Sequence, residues 1–221
     1  TNKGTAEEFQ YFNLLVGKFK QHTCKKFIVV FGNHDVHYFR DDWKLMASML
    51  SNVDHCLMFE TVTVFGLTIH GCPWWWMHTW DYRVRSPTTG DAAPISAAGF
   101  DTIPANLDIL LTHGPPWSVL DLADATDTYA GTVSGSRPLF EQVAVARPRV
   151  HLFGHIHEQH GAVRHGSTLF VNSAMKNRWP SNRAFLQHGP HIITASRAAA
   201  GKDGVSGEWS FDLECVEPLP L

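Results

Sequence analysis

What this sequence lacks narrows its class first. No apolar run approaches the ~20 residues a helix needs to cross a bilayer; the longest wholly apolar stretches, such as Phe27–Phe31, end within a few residues. No signal peptide is visible, and the chain opens at Thr1 rather than at an initiator Met. Excess positive charge is also missing. The formal net charge is −3, so there is no basic footprint for sequence-independent nucleic-acid binding. Cys24, Cys56, Cys72 and Cys215 are far apart, and no pair has the C-x-x-C spacing of a zinc site. They read as reduced, mostly buried thiols of a reducing compartment, and a cytoplasmic location is expected. Internal repeats, low-complexity tracts and linkers are absent too. A single domain over residues 1–221 is therefore expected, long enough for a sizeable core.

What is present has the pattern of an α/β protein. Phe9, Phe12, Leu15, Val16 and Phe19 recur at helical spacing within Glu7–Lys20. Lys26–Phe31, Leu107–Thr112 and Val150–Phe153 read as buried strands. Trp43–Leu50 reads as a helix capped by Asp41 or Asp42, and Leu139–Ala146 as a helix with Pro138 in its first turn. Thr61–Phe65 and Leu67–His70 flank Gly66 as a tight hairpin or a bend between two strands. Thr168–Val171 and Glu208–Leu213 are expected in a second sheet. Cys72–Gly99, rich in tryptophan and proline, reads as a long functional loop, and Ala198–Gly207 as a mobile one.

The three buried strands each run into a turn carrying histidine: Gly32-Asn33-His34-Asp35, Thr112-His113-Gly114 and Gly154-His155-Ile156-His157. In open α/β sheets, ligands bind beyond strand carboxyl ends. Neutral imidazole and amide donors without thiolate suit Mn, Fe or Zn. A lone histidine at a strand end is more often an ordinary hydrogen-bonded residue than a ligand. Three such turns in order, among fourteen histidines, favour metal binding by the set. In an extended segment His155 and His157 would point the same way, whereas a bend would let them serve two adjacent metals.

In that order the turns resemble motifs three to five of the calcineurin-like metallophosphoesterases. They are closest to the metallophosphoesterase-domain-containing phosphodiesterases, through Gly71-Cys72-Pro73-Trp74, the run Asp108–Pro116, the run Pro148–Glu158 and Val171-Asn172-Ser173. The resemblance implies a two-sheet sandwich flanked by helices and two divalent cations, Mn, Fe or Zn. Asn33, His113 and His155 would hold one metal and His157 the other. His34 would sit beside the substrate phosphate, with Asp35 orienting its ring. A small phosphate ester such as a nucleotide is the implied partner, with hydrolysis of diesters favoured over monoesters. Trp74 and Trp75 could stack on a base or aryl leaving group. Of the four tryptophans Trp74, Trp75, Trp76 and Trp80, packing of the loop accounts for two and a substrate-facing role is expected for at least one, while Arg83, Arg85 and Lys176 are better read as surface charge. The family's D-x-H and bridging G-D motifs do not precede Gly32. The chain therefore reads as lacking N-terminal strands, and at most one metal is expected on these residues alone. A catalytically inactive relative that binds a nucleotide or protein is the competing reading.

Overall fold

The structure is a computed structural model that describes residues 3–35, 42–73, 99–123, 131–175, 188–198 and 207–215. The chain is a mixed α/β protein made of two compact units. The first comprises Thr1–Pro104 with Leu111–His113, the second Ala105–Leu110 with Gly114–Leu221.

The first unit opens with helix α1, Ala6–His22. Thr5 and Glu8 form a reciprocal capping box at its start, and Lys20 and His22 complement the dipole at its end. Phe9 is buried there with Phe31, Met46 and Leu50 in one apolar cluster. Met46 comes from α2, Trp43–Ser48, whose N-cap is Asp42. Strand β1 is only Ile28–Val29, paired in parallel with β2, His55–Cys56. The expected buried strand over Lys26–Phe31 is thus shorter and half-buried, because it has one partner of two residues. Asp54 ties this region together. Its carboxylate accepts from Lys20 Nζ at 2.8 Å, Lys26 Nζ at 3.0 Å and the Phe27 amide at 2.8 Å, which hold its pKa well below the usual range. Strands β3 (Glu60–Val64) and β4 (Leu67–Cys72) form the expected hairpin, with Phe65 and Gly66 both at positive φ as a two-residue primed turn requires.

His70, on β4, is a buried neutral base. Thr102 Oγ1 spends its proton on the Gly99 carbonyl at 2.6 Å, so it accepts from His70 Nε2 at 3.3 Å. His70 Nδ1 then accepts from Thr61 Oγ1 at 2.8 Å. Desolvation lowers the His70 pKa to about 4. In the second unit His151 is fully buried beside the rings of Phe153 and Phe170, and desolvation lowers its pKa to about 3. Both rings bind a proton more readily once unfolded, so stability falls as pH drops from 6.5 toward 4 and 3 respectively. His70 alone is expected to cost about 3 kcal/mol between pH 7 and pH 4. Urea midpoints at both pH values check this, with His70→Gln giving the flatter profile.

In the second unit β8 (Val150–Phe153) lies parallel to β10 (Thr168–Asn172), which pairs antiparallel with β9 (Gly161–His165). Every residue of β10 is buried, the mark of a central strand. Thr168–Val171 therefore shares a sheet with Val150–Phe153, contrary to the expected second sheet. Trp209–Cys215 (β12) pairs instead with His191–Arg197 (β11) in a separate two-stranded sheet. Strand β5, Ile109–Thr112, has its first half in this unit and its second half in the other, and β6 (Leu122–Ala123) pairs antiparallel with β7 (Thr132–Val133). Helix α3, Arg137–Ala146, starts at Ser136 with proline in its first turn, as expected. Among the described cysteines, Cys72 is buried while Cys24 and Cys56 are half-buried, and all three are free thiols. Desolvation pushes Cys56 up to about 11 and raises Cys72 further. No helix among the described residues is long and apolar enough to cross a membrane.

Candidate metal centre

In the first unit two of the sequence motifs meet. His113 Nε2 lies 2.7 Å from Asn33 Oδ1, although the residues are 80 apart in the chain. The imidazole N–H donates to the amide oxygen. The approach depends on Gly32: a Cβ there would overlap the His113 ring, at Cε1 and Nδ1. The backbone turns helical from Asn33, with Asp35 N–H donating to Gly32 O at 3.0 Å. The Asp35 carboxylate closes the same turn by accepting from the Gly32 amide at 2.7 Å. His34 projects to the exposed side of this turn. Gly4, at φ 68, packs its backbone against the carbonyls of His34 and Asp35, leaving no room for a side chain. Nothing in the sequence pattern singled out that contact.

In the second unit His155 and His157 occupy a bend rather than an extended segment. Ile156 N–H donates to Gly154 O at 2.9 Å, and His155 has φ 72. A three-residue turn with that φ at a non-glycine residue is strained. The expected alternative of a bend is thus the one adopted.

The chain after His113 carries further structure that sequence reasoning passed over. Asp121 is buried, 5% exposed. Its carboxylate accepts from the amides of Ser118 at 2.8 Å and Gly135 at 2.9 Å, fixing the loop that bears Trp117. The Arg137 guanidinium lies 4.4 Å from the Trp117 ring centre, with Phe140 edge-on at 5.9 Å. Tryptophan directly after His113-Gly114-Pro115-Pro116 was the available signal.

The donor set fits a divalent cation in type. Asn33 Oδ1 and His113 Nε2 lie side by side, and a shift of the His113 proton to Nδ1 would free the Nε2 lone pair as a second neutral donor beside the amide oxygen. No group of three or more His, Cys, Asp or Glu among the described residues is spaced to hold a metal by itself. Trp74, Trp75, Trp76, Trp80, Arg83, Arg85 and Lys176 lie outside the described residues.

The calcineurin-like phosphoesterase family model matches residues 1–159, and the chain belongs to that family of metal-dependent phosphoesterases. Metallophosphoesterase domain-containing protein 1 of Homo sapiens is 30% identical over 174 residues, covering 76% of this chain and 51% of that protein. A Caenorhabditis elegans UPF0046 protein is 30% identical over 193 residues, covering 79% of this chain and 64% of its own length. The chain thus spans about half to two thirds of the length of these relatives. Among solved structures, a Staphylococcus aureus protein assigned as a 5′-nucleotidase is 12% identical with a TM-score of 0.46. The alignment covers 93% of this chain and 40% of that one, a likeness too distant to bear on function.

Proposed function

We propose that the protein hydrolyses small phosphate esters, diesters in preference to monoesters, at a dinuclear metal centre. Asn33, His113 and His155 are donors to one metal, and His157 is a donor to the other. The observation that carries the reading is the 2.7 Å approach of His113 Nε2 to Asn33 Oδ1. Two neutral donors from separate motifs meet where a glycine leaves them room. Two divalent cations, Mn, Fe or Zn, would supply the charge that offsets the phosphate oxygens and acidifies the attacking water.

The protein's own groups do the rest. His34, exposed beside Asn33, donates a proton to the leaving oxygen. Asp35, clamped onto the Gly32 amide, keeps the turn that presents His34 closed. A dinuclear site of this pattern also needs the D-x-H and bridging carboxylate of the family's first two motifs. Asn33, His113, His155 and His157 by themselves are three neutral donors and one lone histidine, which leave no carboxylate to bridge two metals.

The test is metal stoichiometry and hydrolysis of an aryl phosphodiester and its monoester with added Mn²⁺ in the full-length protein. Two metals per chain and faster diester turnover are expected. Nucleotide binding without hydrolysis would instead establish an inactive relative.

A further inference from the structure

We infer that Asn172 is a positioning residue that locks the His155–His157 turn into its strained form. This inference rests on the reading of His155 and His157 as metal ligands. Asn172 ends β10 and is fully buried. Its Nδ2 donates to the carbonyl of Ile156, the residue between the two histidines, at 2.8 Å. The same nitrogen reaches the Leu120 carbonyl at 3.4 Å, and Oδ1 accepts from the Ala174 amide at 3.1 Å.

One buried amide thus holds three backbone groups from three separate stretches of this unit. A fully buried amide is costly unless all its polar atoms are paired, so its fit here is specific. Two further bonds support the same clamp. Ser173 N–H donates to Phe153 O at 2.7 Å, just ahead of the turn. His160 Nδ1–H donates to Ala174 O at 3.0 Å, just after it.

A non-glycine residue at φ 72 is strained and persists only where its surroundings over-determine it. The Ile156 carbonyl belongs to the peptide that joins Ile156 to His157, and Asn172 grips it at its oxygen, so the exit of the turn is pinned while the Ile156 N–H closes it on Gly154 O. Without the grip His155 relaxes to negative φ, and its imidazole swings away from the direction that the bend gives it. Sequence spacing alone cannot separate this role from that of an ordinary buried asparagine at a strand end.

The experiment compares the full-length protein with its Asn172→Asp variant, which keeps the acceptor for Ala174 and loses the donor to Ile156. Amide exchange reports the turn through Ile156 and the fold through Leu152 and Val171 in the β8–β10 ladder. Calorimetry with Mn²⁺ reports the ligands. The expected result is Ile156 exchanging at least tenfold faster, ladder amides unchanged, and Mn²⁺ affinity down about tenfold or more. Unchanged Ile156 exchange would overturn the inference. So would faster exchange with unaltered affinity, since the asparagine would then be structural only. Should the ladder amides of Asn172→Asp also open, Asn172→Ala, which lacks the donor and adds no charge, must show the same split. Absence of Mn²⁺ binding by the unaltered protein would overturn the ligand reading, and Ile156 exchange alone would then decide whether Asn172 holds the turn.

Discussion

Replacing His34 with alanine in the metal-loaded, full-length protein is expected to slow hydrolysis of an aryl phosphodiester by about a hundredfold, the usual contribution of a positioned acid. That factor corresponds to about 2.7 kcal/mol of transition-state stabilisation. The residue sits on the exposed side of the turn at Asn33, so its removal leaves the apolar cluster of Phe9, Phe31, Met46 and Leu50 untouched. The turn that carries it is closed by the Asp35 carboxylate on the Gly32 amide. Metal content should therefore hold while turnover falls. The defect should shrink for esters whose leaving group is already acidic, because such a group needs no proton. Loss of both metals with activity would show that His34 is a ligand.

Gly32→Ala is expected to weaken metal binding by at least tenfold at little cost in stability. The new methyl would occupy the space now filled by the His113 imidazole. Gly32 is not among the residues at positive φ, so alanine meets no backbone penalty there. The cheapest relief is rotation of the His113 ring, which breaks its approach to Asn33 and leaves the helices and strands in place. Titration with Mn²⁺ and a thermal melt separate the two effects. Unchanged affinity would mean that the His113–Asn33 contact is incidental.

Local features were legible where a residue's own neighbours decide the structure. The spacing of Phe9, Phe12, Val16 and Phe19 marks α1, expected over Glu7–Lys20 and found over Ala6–His22. Pro138 marks the start of α3, and Phe65-Gly66 the turn of the β3–β4 hairpin. Pairing was not legible, because it is a tertiary choice. Nothing in Thr168–Val171 says that it lies beside Val150–Phe153 and not beside Trp209–Cys215. The strands Gly161–His165 and His191–Arg197 were missed because their faces are largely exposed and carry weak apolar signals. The same division holds at the candidate metal centre. Asn33 and His113 could be named from their motifs and are found together. The bend at His155 depends on an asparagine contributed from a neighbouring strand, and spacing along the chain does not encode that contact.

The ligand assignment is tested most directly by anomalous diffraction from crystals of the full-length protein grown with Mn²⁺, recorded at the manganese edge. Two anomalous peaks are predicted, one bound by Asn33 Oδ1 together with His113 and His155, the other by His157. Manganese bound elsewhere, with His113 still donating to Asn33, would contradict the account.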